Sequence, residues 1–276
     1  MNNIIIDELI KLALKEDIGF GDATGEAIFD EADVSEGILL AKEDFVIAGV
    51  DVFSRVFQII DRRVSVTLAV RDGDGVKQGE KLAILEGPTK SILAGERVAL
   101  NYLQHLSGVA TKTKCFVEAA KGQRAVVVDT RKTTPGLRML EKYAVKVGGG
   151  QNHRFGLDSM ILIKDNHIKA AGGIRNAVAK VKKGVSPFLK IEVEVESLEG
   201  VREALAANVD IIMLDNMLLG EIKSAVSIIN GKVLVEVSGN VTLERIGELA
   251  AAGVDIISSG ALTHSVKAAD ISLRLV

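Results

Sequence analysis

A regular alternation of apolar and amphipathic segments in the second half of the chain most restricts its fold. Apolar runs rich in β-branched residues occupy 125–128, 160–163, 189–195, 210–214, 233–237 and 254–258, and segments with helical spacing separate them at 172–183, 198–207, 217–229 and 242–252. The last four runs recur roughly every 22 residues, a spacing typical of βα units. The sequence therefore predicts a parallel sheet covered by helices.

Each predicted strand of this series ends in a polar residue, namely Asp129, Lys164, Glu194, Asp215, Ser238 and Ser258. The carboxyl ends of barrel strands share one rim, and α/β barrels keep their chemistry there. We therefore predict a TIM-like barrel with a functional site at this rim. A doubly wound sheet is an alternative, but it needs a reversal of strand order that nothing in the sequence indicates.

The part of the chain before residue 120 has a different pattern. Strand-like segments between 36 and 88 alternate with turns, and a helix is predicted at about 50–60. A long helix is predicted from Ser91 to about Ala120. Met1 to Glu16 is interpreted as an amphipathic helix, because its charged residues interrupt the apolar core of a signal peptide. The turn at 75–82 is superficially similar to a lipoyl or biotin carrier turn, but it lacks the modifiable lysine.

The composition favours a cytoplasmic globular enzyme. Hydrophobic residues make up 47% of the 276 residues and charged residues 26%, which excludes wholesale disorder. The single cysteine, Cys115, cannot form an internal disulfide, so a reducing compartment fits best. No apolar run approaches the roughly 18 residues expected of a membrane span. The four histidines lack the spacing of a zinc site, and GxSxG, Walker A and GxGxxG motifs are absent.

Cationic side chains are concentrated between Asp129 and His167, although the formal net charge of the chain is −3. They are Arg131, Lys132, Arg138, Lys142, Lys146, His153, Arg154 and Lys164. Any one of them taken singly is most simply a solvated surface group. Their placement after predicted strands instead indicates a site for a small, highly charged anion, with no general basic surface for nucleic acid. Lys142 and Lys146 are interpreted as ordinary helix residues.

Carboxylates follow neighbouring predicted strands. Glu192 and Glu194 share one face of their strand, and Asp215 closes the next strand along the chain. Strand-end carboxylates beside cations favour Mg²⁺ shared with substrate phosphates. Internal salt bridges between these carboxylates and the lysines are the alternative explanation.

Two glycine-containing turns complete the predicted rim. Ser238-Gly239-Asn240 and Ser258-Ser259-Gly260-Ala261-Leu262 each precede a helical segment. Backbone amides at the start of a helix bind phosphate well, and the late strands of TIM-like barrels often serve this purpose. The two turns therefore predict a phosphate site.

Several segments together resemble one family, the quinolinate phosphoribosyltransferases. They are GDAT (21–24), ERVALNYLQHLSGVAT (96–111), DTRKTTPGLR (129–138), EKYAVKVGGGQNHRFGLDSMILIKDNHI (141–168), IEVEVESL (191–198), LDNM (214–217), EVSGN (236–240) and GALTHS (260–265). The resemblance spans nearly the whole chain, and its 129–168 block is highly specific. It implies transfer of phosphoribosyl from phosphoribosyl pyrophosphate to quinolinate with decarboxylation, which yields nicotinate mononucleotide, pyrophosphate and CO₂ in de novo NAD synthesis.

The resemblance also implies a role for individual residues. Quinolinate would be bound by Arg131, His153, Arg154 and Lys164, with Lys132 beside the pocket and Arg97 contributed by the partner subunit of a homodimer. Glu194 and Asp215 would face the ribose and Mg²⁺. The 5′-phosphate would be held by Ser238, Gly239, Asn240, Ser259, Gly260 and His264, although Asn240 stands where some members have glycine. Lys132, Lys164, Glu194 and Asp215 are the predicted catalytic residues.

The predicted fold class is accordingly α/β, with an incomplete TIM-like barrel preceded by an α+β open-sandwich domain. The N-terminal domain is placed at residues 1–110 and the catalytic barrel at 111–276, with the last residues packing back on the N-terminal domain. The expected partners are the two small substrates and a second copy of the chain, with neither nucleic acid nor membrane.

Four other functions share single features with this sequence. A homologue of the family encoded at a molybdenum locus keeps a DTRKT-like segment but lacks the stretch from Lys164 to His167, which is intact here. Rossmann-like phosphoribosyltransferases carry an acidic pair where this chain has Asp-Thr-Arg-Lys. Lys164 could be the Schiff-base lysine of an aldolase, but that needs an apolar or pKa-lowering setting. A non-catalytic anion sensor would have no need of Glu194 and Asp215.

Overall fold

The computed structural model describes residues 3–276, which form two compact units. The first contains Met1–Lys114, Pro135–Gly148 and Val266–Val276, and the second contains Cys115–Thr134 and Gly149–Ser265. The predicted domain boundary after residue 110 stays a prediction. Of the helix predicted at Met1 to Glu16, the first two residues lie outside the described part. Within that part, no helix combines the length and the apolar character needed to cross a bilayer.

The first unit is built on an antiparallel sheet. Its elements are α1 (Asn3–Ile18), α2 (Ala23–Ile28), β1 (Val34–Ala41), β2 (Phe45–Val46), α3 (Val50–Ile60), β3 (Ser65–Leu68), β4 (Gly75–Val76), β5 (Lys81–Pro88), α4 (Thr89–Ala119, which continues past this unit), α5 (Arg138–Val147) and β12 (Ile271–Leu275). The sheet order is β12-β1-β5-β3, and β2 pairs with β4. The chain therefore returns at its end to pair β12 with β1.

The core of the first unit forms around α3. Phe53 and Phe57 are fully buried on one face of this helix, and their rings meet edge to face at 5.2 Å between centroids. Asp72 accepts hydrogen bonds from the amides of Gly49 and Val50 at 2.8 and 3.0 Å. A carboxylate remote in sequence thus satisfies the unpaired amides at the start of α3.

Lys142 and Lys146 lie in a helix of this unit, as the sequence predicts, but they differ in burial. The exposed fraction of Lys142 is only 3%, and the neighbouring Glu141 is fully buried. Oε1 of Glu141 lies 2.8 Å from Nε2 of His105 on α4. Lys142 is therefore a packed residue of α5, while Lys146 is exposed.

The second unit contains a parallel sheet covered by helices. Its elements are β6 (Val126–Val128), β7 (Ile161–Ile163), α6 (Asp165–Ala171), α7 (Ile174–Gly184), β8 (Ile191–Val195), α8 (Leu198–Ala206), β9 (Ile211–Asp215), α9 (Leu219–Ile229), β10 (Leu234–Ser238), α10 (Leu243–Ala251), β11 (Ile256–Ser258) and α11 (Ala261–His264). The strand order is β6-β11-β10-β9-β8-β7, with parallel pairing throughout.

This sheet confirms the predicted fold class. Six strands follow the six predicted apolar runs, and β6 and β7 are its two ends. A single bridge between Val128 of β6 and Gln151, which precedes β7, links the two ends of the strand order. The arrangement is consistent with an incomplete barrel.

The strand register places polar residues on one face of the sheet. Glu194 pairs with Met213, which in turn pairs with Glu236 on the next strand. Asp215 pairs with Ser238 two residues further along. Because side chains alternate between faces along a strand, all these residues share one face with Glu192. The register thus gathers the carboxylates predicted from the sequence on the same side.

Candidate active site

An ion pair joins the ends of two neighbouring strands at the rim. Nζ of Lys164, directly after β7, contacts Oε2 of Glu194 on β8. The backbone N–H of Lys164 donates to Nδ1 of His167 at 3.0 Å, which fixes the start of α6. An internal salt bridge, the alternative explanation for these carboxylates, is therefore present between Lys164 and Glu194.

A buried cluster of one imidazole and two carboxylates lies on the inner face of the sheet. Nε2 of His153 is 3.2 Å from Oε2 of Glu192 and 3.5 Å from Oε2 of Glu236. The two glutamates are 0% and 1% exposed. Buried carboxylates in an otherwise apolar sheet are costly unless they are paired, so His153 stabilises both.

The cluster binds protons more tightly than its isolated groups would. Burial opposes protonation of His153, but hydrogen bonds and charges from Glu192 and Glu236 outweigh it and raise its pKa to about 9. Burial raises the pKa of Glu192 to about 7, against the opposing hydrogen bond from His153. The three groups therefore retain at least one shared proton at neutral pH.

The three groups of the cluster share their protons. Their ligand atoms lie within 4.8 Å of one another, close enough to hold a cation. The backbone N–H of Arg154 donates to Nδ1 of His153 at 2.8 Å, so the hydrogen that the ring carries lies on Nε2, towards the carboxylates. A second proton is then held by the carboxylates of Glu192 and Glu236, and the raised pKa values describe the cluster as a whole.

Asp129 fixes the segment that carries His153. It is fully buried, and its two carboxylate oxygens accept from Nδ2 of Asn152 at 2.6 Å and from the backbone N–H of His153 at 2.9 Å. Its role is therefore to hold the segment after Gln151 against the end of β6.

Two half-buried arginines lie close enough to influence one another. Burial lowers the pKa of Arg154, and the charge of Arg131 lowers it further, whereas the charge of Glu192 opposes both effects. Nη1 of Arg154 donates to the carbonyl of Met160 at 3.1 Å. The pair is a concentrated positive charge that suits a bound anion.

The segment containing Lys132 packs against the last glycine turn. Oγ1 of Thr263 donates to the carbonyl of Lys132 at 2.7 Å. A Cβ at Gly260 would lie 2.8 Å from Cδ of Lys132 and 2.9 Å from the ring of His264. Any larger residue at position 260 would displace the side chain of Lys132 or of His264, so the turn lies close against both.

Asn216 connects a strand-end carboxylate with the other glycine turn. Its Nδ2 donates to Oδ2 of Asp215 at 2.7 Å, and its Oδ1 accepts from Nδ2 of Asn240 at 3.1 Å. Its backbone N–H donates to the carbonyl of Ser238 at 3.1 Å. The residue thus bonds both to the end of β9 and to the turn that follows β10.

The two carboxylates predicted to face Mg²⁺ could hold that ion only together with ligands from water and substrate phosphate. Glu194 and Asp215 lie on one face of adjacent strands, offset by two residues in register. One carboxylate from each strand is a set of hard oxygen donors, and Mg²⁺ takes its remaining ligands from water and phosphate. Glu194 is already paired with Lys164, so a cation there would compete with that lysine.

One predicted residue lies in the first unit. Arg97 is on α4 and is exposed. Sequence reasoning did not single out Glu236 and Asn216. Glu236 could have been found, because it is a lone acid in an apolar run and lies two residues before Ser238, on the same strand face.

A parallel sheet with cations, carboxylates and glycine turns at the carboxyl ends of its strands defines an α/β-barrel enzyme of an anionic substrate. Family sequence models agree: "Quinolinate phosphoribosyl transferase, C-terminal domain" matches residues 109–274, and the N-terminal domain of the same family matches 22–107. The chain belongs to the quinolinate phosphoribosyltransferase family.

Named relatives and solved structures support the assignment. The chain is 44% identical to the probable nicotinate-nucleotide pyrophosphorylase [carboxylating] of Bacillus subtilis, over 99% of this chain and 94% of the relative. It is 46% identical to the chloroplastic enzyme of that name from Arabidopsis thaliana, over 97% and 82%. The crystal structure of NadC from Streptococcus pyogenes superposes with a TM-score of 0.96 at 46% identity, covering 100% of this chain and 98% of the other.

Proposed function

We propose that the protein transfers the phosphoribosyl group of phosphoribosyl pyrophosphate to quinolinate and releases pyrophosphate and CO₂ to give nicotinate mononucleotide. This is a step of de novo NAD synthesis. The observation that carries the proposal is the full-length similarity to enzymes named for this reaction. The cationic rim adds physical support, since both substrates are strongly anionic.

Quinolinate binds at the positive side of the rim. Four side chains line its pocket, namely those of Arg131, His153, Arg154 and Lys164, and His153 also contacts the two buried glutamates. Lys132 stands beside this pocket. The charges of Arg131 and Arg154 repel one another, so a bound dianion offsets an electrostatic cost. Arg97 is contributed by the partner subunit of a homodimer, in keeping with its exposure on α4.

Phosphoribosyl pyrophosphate binds across the opposite side. Glu194 and Asp215 face the ribose, while Ser238, Gly239, Asn240, Ser259, Gly260 and His264 hold the 5′-phosphate. Bound Mg²⁺ supplies charge neutralisation for the pyrophosphate. Glu194 and Asp215 are the residues that would hold it, directly or through water.

The residues then stabilise the charges that develop. The ring nitrogen of quinolinate forms a bond to C1 of the ribose as the bond from C1 to pyrophosphate breaks, and Glu194 and Asp215 stabilise the positive charge on the sugar. The ribosylated nitrogen is cationic, so it accepts the electron pair left when the neighbouring carboxylate departs as CO₂. A proton then takes the place of that carboxylate.

A pyrophosphate-release assay tests the proposal. We expect release that depends on quinolinate, with nicotinate rejected as acceptor. Arg131→Ala and Lys164→Ala should each lower kcat/KM at least about tenfold, as one charge-assisted hydrogen bond is worth roughly 1.5–3 kcal/mol. Arg175→Ala, on the exposed face of α7, is the matched control and should retain full activity. Near-normal kcat/KM in both site variants would contradict the pocket, and release with nicotinate alone would contradict the reaction.

We further propose that the protein acts in the cytoplasm, in keeping with its single cysteine. Fractionation of the source cells, followed by detection of the protein, tests this.

A further inference from the structure

Three backbone positions near the ends of β9 and β10 adopt the left-handed conformation. Asn216 has φ +53°, Gly239 +83° and Asn240 +47°. Asparagine tolerates this region better than most residues, and glycine best of all. The three positions form one hydrogen-bonded unit, since the backbone and side chain of Asn216 reach Ser238 and Asn240.

The side chain of Asn216 fills the space beside Gly239. A Cβ at Gly239 would lie 2.2 Å from Oδ1 of Asn216 and 2.8 Å from its backbone nitrogen. The turn after β10 is therefore shaped around this amide. The opposite end of the same amide holds Asp215, so the position of the carboxylate and the position of the turn depend on one side chain.

We infer that Asn216 is a positioning residue that sets the distance between Asp215 and the phosphate-binding turn at Ser238 to Asn240. The inference rests on the proposed function, in which Asp215 faces the ribose and the turn holds the 5′-phosphate. The ribose and the 5′-phosphate that they bind are parts of the same sugar phosphate. A fixed separation lets the rim bind ribose and phosphate together without first ordering the turn.

The same geometry predicts that loss of the Asn216 side chain affects the binding of one substrate and not of the other. Asn216 contacts Asp215 and the turn after β10, whereas the quinolinate residues predicted in the same unit follow β6, precede β7 or directly follow β7. Loss of the Asn216 side chain should therefore weaken binding of the sugar phosphate and leave binding of the dicarboxylate unchanged. A purely structural role would weaken both, or would lower thermal stability without selectivity.

Asn216→Gly is the sharpest test, because glycine keeps the left-handed backbone and removes both side-chain hydrogen bonds. The matched control is Asn230→Gly, an exposed asparagine at φ +46° at the end of α9. Titration calorimetry with ribose 5-phosphate and, separately, with quinolinate gives two independent affinities. Initial-rate kinetics add KM for phosphoribosyl pyrophosphate.

We expect Asn216→Gly to lower the affinity for ribose 5-phosphate and to raise KM for phosphoribosyl pyrophosphate, each by about tenfold. This is the loss expected from one to two hydrogen bonds. The affinity for quinolinate should remain within about twofold, the scale of experimental scatter. Asn230→Gly should change neither. An equal loss of affinity for ribose 5-phosphate and for quinolinate, or unchanged binding of ribose 5-phosphate, would overturn the inference.

Asn216→Asp serves if the glycine variant does not fold. It keeps the size, the left-handed backbone and the acceptor for Asn240, but it cannot donate to Asp215. The same selective loss is expected, and unchanged binding of ribose 5-phosphate again overturns the inference. Wild-type protein that binds ribose 5-phosphate but releases no pyrophosphate with quinolinate would contradict the proposed function alone.

Discussion

At the scale of single residues, the interior of the parallel sheet is unusual for its buried acids. Glu192 and Glu236 lie on β8 and β10, on either side of β9, and share one imidazole, that of His153. The raised pKa of His153 means that the folded protein holds a proton that the unfolded chain would release. Stability is therefore linked to pH through this cluster.

The free energy of unfolding should fall as the pH rises through the cluster. The contribution of His153 is fully present below its ordinary pKa of 6.5 and is lost as the pH passes about 9. In Glu236→Gln one of the two carboxylates that raise this pKa is neutral. The loss of stability between about pH 6 and about pH 9.5 should therefore be smaller by roughly 1 kcal/mol, the equivalent of about one pKa unit.

Denaturant unfolding at the two pH values measures this difference. Glu203→Gln, on the exposed side of α8, is the matched control and should show the wild-type loss. An identical pH dependence in Glu236→Gln and wild type would show that the cluster does not hold the proton.

At this scale the sequence predicts a site residue only where neighbouring residues in the chain mark it. Lys164 and Glu194 each follow or end an apolar run, and the structure brings them into contact. Asn216 and Glu236 depend on partners 24 and 83 residues away, Asn240 and His153 respectively. Pairings of that range are set by strand order and register, which a single sequence does not display.

At the scale of elements, the apolar periodicity was a good guide where strands and helices are long. All six predicted strands of the second unit are present, and α3 occupies Val50–Ile60 as expected. The short α2 and α6 were not predicted, because a helix of six or seven residues has too few turns to show a stripe. The strand β12 was not predicted either. It is a short strand whose partner, β1, is far away in the sequence.

Gly108 in α4 illustrates how packing overrides helix propensity. A Cβ at this position would lie 2.3 Å from the carbonyl oxygen of Lys267. Gly108→Ala should therefore destabilise the protein by about 1–3 kcal/mol, although alanine favours helices, because the neighbouring backbone must move.

The control is another helical glycine with room to spare. At Gly247 in α10 the nearest atom to an added Cβ is 3.7 Å away, an ordinary contact. Gly247→Ala should be neutral or stabilising by up to about 1 kcal/mol. Thermal unfolding of the two variants measures the contrast, and equal midpoints would count against close packing at Gly108.

At the scale of the whole molecule, the proposed homodimer has a direct consequence. If Arg97 serves the site of its partner, a dimer of one Arg97→Ala and one Lys164→Ala subunit has one intact site. Random mixing makes half of the dimers mixed, so about a quarter of the wild-type activity should return from two inactive variants. The pyrophosphate-release assay on the mixture, after exchange of subunits has been verified, measures this.

The matched control mixes Arg131→Ala with Lys164→Ala. Both residues belong to the second unit of one subunit, so every site in that mixture lacks one of them and no activity should return. Absence of recovery in verified Arg97→Ala and Lys164→Ala dimers would contradict a shared site.

The pairing of β12 with β1 has a consequence for biosynthesis. The ribosome releases β1 long before its neighbour β12, so that strand has no partner on one edge until residues 271–275 have emerged. The strands of the second unit, β6 to β11, all leave the ribosome before β12 does. The antiparallel sheet of the first unit is therefore completed only after every strand of the parallel sheet has been made, and until then β1 exposes an open strand edge to the crowded cell.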